Sequence, residues 1–141
     1  MDISKYDVVA NAEKGFKLYF ENPYDSEEKL PFFMVIMGAD SKAFKRAKRA
    51  QQLEILNENM GKQHKTTSAD LDRMEEDNIH ILAQLITSLG ETEKGKDNDF
   101  ILDGDRECKC VKKDIKHLLT KFPWMRDQIS VAVQKRANFL A

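Results

Sequence analysis

Phe16-Lys17-Leu18-Tyr19-Phe20 and Phe32-Phe33-Met34-Val35-Ile36-Met37-Gly38 decide the fold. In the first run Phe16, Leu18 and Phe20 alternate with Lys17, Tyr19 and Glu21. A period of two predicts a half-buried strand. The second run is continuously apolar, aromatic and β-branched, and too short for a stable lone helix, so it reads as a strand buried on both faces. Asn22-Pro23-Tyr24-Asp25-Ser26 between them is turn chemistry, lengthened by Glu27-Glu28-Lys29. The expectation is a long-looped β-hairpin over 15–38. Two strands alone are marginal in water and need a covering layer or another chain.

Beyond Gly38 the period changes to 3.6. Asp40 or Ser41 is placed to cap a helix whose stripe is Ala43, Phe44, Ala47, Ala50, Leu53 and Leu56, ending near Met60-Gly61. After a polar link over 62–67, Thr67 or Ser68 caps a second helix. Leu71, Met74, Asn78, Leu82, Leu85 and Leu89 share one of its faces, with Gly90 as the C-cap. Glu91 to Asp99 reads as a charged, mobile loop, and Phe100-Ile101-Leu102-Asp103-Gly104 as a short strand or bend entering a tight turn. Two last helices follow over 111–141, bent at Phe122 because Pro123 disfavours helical geometry before it and suits the first turn after it. Trp124 sits on that corner and, with Phe122, is assigned to the core, where substantial burial is expected. Phe139 and Leu140 are apolar close to the last residue and are read as a docked end with anchor character for a partner. The predicted class is therefore α+β: an N-terminal hairpin, then a mainly helical bundle of about four helices over 39–141. Residues 1–14 form an arm or short first element, and 1–141 make a single domain.

The 141 residues are enough for one domain with a real core, and 33% charged residues suit a soluble chain. No apolar run nears the roughly 18 residues of a membrane helix. Met1-Asp2-Ile3-Ser4-Lys5 lacks a basic region followed by an apolar stretch, so no secretory leader is expected. Cys108 and Cys110 are too close together to frame a secreted fold, which points to a reducing cytoplasm.

The net charge of −1 hides blocks: residues 1–40 carry −4, 41–65 carry +5, 66–110 carry −7 and 111–141 carry +5. Such blocks favour contact between copies or with a charged protein. Self-association is therefore among the expectations. Lys42, Lys45, Arg46, Lys48 and Arg49 crowd one helix and offer a face to phosphates or to acidic protein. No series of aromatic residues interleaves with them as a single-strand binder would want, which makes nucleic acid the less favoured partner. Cys108, Cys110 and His117 could be three metal ligands, but C-x-C is an unusual spacing for structural zinc and no second cysteine pair completes a site. No phosphate-binding glycine loop, nucleophile elbow or dinucleotide fingerprint occurs. No catalytic residue, metal or cofactor is assigned, and an interaction protein is favoured over an enzyme.

Two stretches together carry a resemblance. One is the strand–turn–strand ending Ile36-Met37-Gly38, followed by Asp40-Ser41 and the basic helix with Phe44, Lys45, Arg46 and Ala47. The other is Phe122-Pro123-Trp124, Arg126, Gln128 and the ending Arg136-Ala137-Asn138-Phe139-Leu140. The chain in this respect resembles tail assembly chaperones of long-tailed bacteriophages and prophages, while residues 62–110 contribute little. The resemblance implies a non-enzymatic factor in the host cytoplasm that binds the tape-measure protein and helps recruit tail-tube subunits, with no membrane partner. It carries over no site residues. The partner-binding residues proposed from the sequence are Lys45, Arg46, Lys48, Arg49, Phe139 and Leu140. A small regulatory nucleic-acid-binding protein using the basic helix 42–49, or a minor head–tail or tail structural component, is the competing class.

Overall fold

A computed structural model describes residues 2–59 and 68–139. A 3-10 turn (Ile3–Tyr6) leads into α1 (Val8–Lys14), β1 (Phe16–Asn22) and β2 (Asp25–Ile36). Then come α2 (Lys42–Asn59), α3 (Ser68–Leu85), β3 (Ile86–Glu93) and β4 (Lys96–Asp97). A second hairpin, β5 (Phe100–Asp103) and β6 (Arg106–Lys109), precedes α4 (Lys112–Lys121), α5 (Pro123–Gln134) and a closing 3-10 turn (Arg136–Phe139).

The expected hairpin-plus-bundle architecture is corrected here. The main sheet has four antiparallel strands in the order β1-β2-β3-β4, and a separate two-stranded sheet joins β5 to β6. Three features of the sequence reading change. The first hairpin is not long-looped: Asn22 pairs directly with Asp25, so only Pro23 and Tyr24 lie between the strands. The second long helix stops at Leu85, and Leu89 and Gly90 lie in β3, where they pair with Met34 and Phe33. The stretch 91–99, expected to be a mobile loop, is largely the β3–β4 hairpin. Its turn residues Lys94 and Gly95 both have positive φ, 52° and 76°, the backbone that a tight two-residue hairpin turn needs.

β3 adds to β2 because β2 is apolar on both sides and cannot be an edge. Met34, Ile36, Ile86 and Leu89 form one sheet face with Phe20 and are buried with Leu82 and Leu85 of α3, Leu118 and Leu119 of α4, and Ile129 and Val133 of α5. On the other face Phe33 is 3% exposed, covered by the Tyr19 ring at 5.8 Å and by the Lys17 ammonium at 4.3 Å. Gly90 lies opposite Phe33, and a Cβ there would come within 2.1 Å of the Asn98 carbonyl oxygen. Asn98 is folded back by its own backbone N–H to Glu91 O and by the Glu91 N–H to its Oδ1. Glycine at 90 is thus dictated by close backbone approach, not by a helix end.

The corner between the last helices follows the sequence. α4 ends at Lys121, Pro123 opens α5, and Phe122 stands between them outside helical geometry. Trp124 is half-buried, its ring edge-on to Phe20 at 5.9 Å and to Phe122 at 6.2 Å. α5 also closes the free edge of β1. The Gln128 amide accepts from the Glu21 N–H at 2.8 Å and donates to the Glu21 carbonyl at 2.9 Å.

Candidate functional site

The chain between β2 and β3, two neighbouring strands, is the α2–α3 pair. Its base is fixed by backbone bonds to three different helices. Met37 N–H donates to Leu85 O, Gly38 N–H to Ala12 O, and Ala39 N–H to Val133 O. Ser41, fully buried, then starts α2 by accepting from the Phe44 N–H at 3.2 Å, the capping role expected of Asp40 or Ser41. Asp40 instead takes a two-pronged bond from the Arg136 guanidinium, at 2.7 and 2.9 Å, which lowers its carboxyl pKa.

From this base the two helices run antiparallel, and their far halves leave the body. Between Lys48 and Asn57 only Gln51 is even half-buried. Leu53 is 55% exposed and Leu56 63% on α2, and Leu71 is 57% and Met74 59% on α3. The facing sides of the helices use small and polar residues. Ala43, Ala47 and Ala50 look across a groove of about 340 Å³ to Asp77, His80 and Ile81. Glu54 and Arg73 bridge it with an ion pair of 2.8 Å. The apolar stripe read from the sequence continues to Leu56, but its far end is more exposed than covered. We call this pair of helices the prong.

The cationic residues assigned to partner binding lie at the near end of the prong. Lys45, Arg46, Lys48 and Arg49 are all exposed, and the Lys48 ammonium rests 5.8 Å from the Phe44 ring centre. The aromatic anchor proposed beside them is corrected. Phe139 is 6% exposed, packed edge-on to Phe16 at 6.1 Å, so it belongs to the core and presents nothing to a partner. Leu140 lies outside the described residues, as do the helix end at Met60-Gly61, the link 62–67 and the cap at Thr67. Of that predicted pair only Phe139 is described, and it is buried in the core rather than set beside the basic helix.

The thiols and His117 are placed apart. Cys108 is fully buried in the core, and burial raises its thiol pKa. Cys110 is exposed at the end of the β5–β6 hairpin. His117 Nε2 pairs with Asp103 at 2.8 Å, and the Lys121 ammonium reaches the same carboxylate at 2.8 and 2.9 Å. Lys121 first and His117 second hold the Asp103 carboxyl below its ordinary range. This triad ties β5 to α4. Among the described residues no cluster of His, Cys, Asp or Glu is arranged to hold a metal ion. No described helix is long and apolar enough to cross a membrane.

Sequence reasoning found the cations of the prong and missed its bare leucines and methionine. The available signal was the continuation of the apolar stripe past the alanines on a helix with few other large apolar residues. No family model, curated protein or solved structure matches this chain.

Proposed function

We propose that this chain is a non-enzymatic protein-binding factor that uses the α2–α3 prong as its contact surface. The observation that carries the reading is the prong itself: four large apolar side chains, each more than half exposed, on helices anchored firmly at one end. Large exposed apolar side chains grouped on a rigid element mark surfaces completed by another protein. Charges beside them set encounter rate and choice of partner, and apolar contact supplies most of the binding energy.

The partners are those the sequence resemblance implies, the phage tape-measure protein and tail-tube subunits, met in the host cytoplasm during tail assembly. The test is a pull-down of tape-measure protein with the parent and with Leu53→Ser/Leu56→Ser, phage yield being measured in parallel. The expected result is capture by the parent and loss with the variant. A parent that captures neither tape-measure nor tail-tube protein rejects the assembly role. A salt-dependent shift of a DNA fragment, abolished by Lys45→Glu/Arg49→Glu, would favour the nucleic-acid reading instead.

A further inference from the structure

The two helices of the prong carry opposite charge. Between Lys42 and Asn57, α2 holds five cations and one anion. Between Asp70 and Gln84, α3 holds five anions and one cation. Part of this charge is paired within the chain, and part of it has no partner among the described residues. Lys45, Lys48, Arg49, Asp72 and Glu76 do not line the groove between the two helices, so they stand on faces turned away from it. The Glu54–Arg73 pair that joins them uses the minority charge of each helix. Glu75 is taken by Arg126 of α5 at 2.8 Å. The side chains of Lys45, Arg46, Lys48 and Arg49, and likewise of Asp72, Glu76 and Asp77, enter no hydrogen bond or ion pair with the described residues.

We infer that the protein assembles with further copies of itself through the prong, the basic α2 of one copy lying against the acidic α3 of the next. Leu53 and Leu56 stand three residues apart on α2, and Leu71 and Met74 three apart on α3, so each pair lies on one helix face. The Glu54–Arg73 bridge sets the two pairs at the same height along the prong. A contact between copies that repeats this antiparallel register lays Leu53 and Leu56 of one copy over Leu71 and Met74 of its neighbour. Lys48 and Arg49 then fall within about one helical turn of Glu76 and Asp77, inside the reach of their side chains. Contacts of α2 with α2, or of α3 with α3, would bring like charges together and are disfavoured. The second copy is the occupant that supplies both the matching apolar pair and the opposite charge. This inference is independent of the tape-measure reading.

The experiment is sedimentation velocity on the full chain across a concentration series at low and high salt. The expected result is a mass above the monomer at low salt that falls as salt rises. Lys45→Glu/Arg49→Glu and Asp72→Lys/Glu76→Lys should each sediment as monomers, with thermal unfolding close to that of the parent because these side chains lie off the core. An equimolar mixture of the two charge-reversed chains should associate again, since one now supplies an acidic α2 and the other a basic α3. Leu53→Ser/Leu56→Ser should be monomeric at every salt concentration. A parent that stays monomeric throughout, or charge-reversed chains that fail to associate when mixed, overturns the inference. A monomeric parent that still captures tape-measure protein would overturn it while leaving the proposed function standing, and would assign the prong to a different protein.

Discussion

The body and the prong use similar helices to opposite ends. α4 buries Ile115, Leu118 and Leu119, each 2% exposed or less, while α2 leaves Leu53 and Leu56 more than half exposed. Both are amphipathic, so amphipathicity alone does not say whether a face is covered. The difference lies in the connections. Short links hold α4 between the β5–β6 hairpin and α5, against the sheet. α2 and α3 span the gap between two adjacent strands, so only their near ends must touch the sheet. The body is organised for stability, and the prong is available for contact.

Substitutions that separate these roles differ in size. Phe20→Ala removes a fully buried ring from under Trp124 and should cost roughly 3–5 kcal/mol, read as a lower urea midpoint. An unchanged midpoint would mean that sheet and corner do not share a core. Gly90→Ala forces the Asn98 backbone off β3 and should cost about 1–3 kcal/mol, the usual range for overpacking. Amide exchange should then rise at Glu91 and Asn98, and not in α4. Gln128→Ala uncovers both polar groups of Glu21 at a half-buried site, for a loss of about 1 kcal/mol.

Acid should act on the body through Asp40, Asp103 and Asp114. Arg136 depresses the first, Lys121 and His117 the second, and the Lys109 N–H and Arg106 the third. A depressed carboxyl stabilises the fold fully above its unfolded pKa of about 4, and the contribution is lost as pH falls through the folded value. The urea midpoint should hold from neutral pH to mildly acidic pH and drop below about pH 4, with a shallower drop in Asp103→Asn. A midpoint that rises on acidification would reverse the assigned sign. The smallest effect belongs to Leu53→Ala in the isolated monomer, within about 0.5 kcal/mol, because the side chain gives up little burial. A loss of several kcal/mol there would show that something covers the prong in the free protein.

How much was legible follows the same division. The alternation of Phe16, Leu18 and Phe20 and the break at Phe122-Pro123 could be read because local chemistry decides them. The passage from α3 into β3 could not. Leu82, Leu85, Ile86 and Leu89 fit a helical period, and Ile86 and Leu89 also suit a sheet face, so an apolar pattern supports either reading. The β-branched Ile86, Thr87 and Thr92 were the remaining hint. Gly90 resembled a helix stop because its actual reason, the Asn98 carbonyl, is a tertiary contact. Phe139 looked like an anchor near the last residues, yet α1, β1 and the segment at Gly38 close over it. The charges of the prong could be counted in the sequence, but which of them find partners among the described residues depends on the faces the helices turn toward each other.

Gln128 guards the margin of β1 with a single side chain. Its side-chain amide occupies the place that a peptide group of an added strand would take beside Glu21, accepting and donating as such a group does. Hydrolysis of that amide to a carboxylate removes the donor and sets negative charge against the Glu21 carbonyl oxygen. The guard on β1 would then become a repulsive neighbour, and the strand's margin would open to other chains.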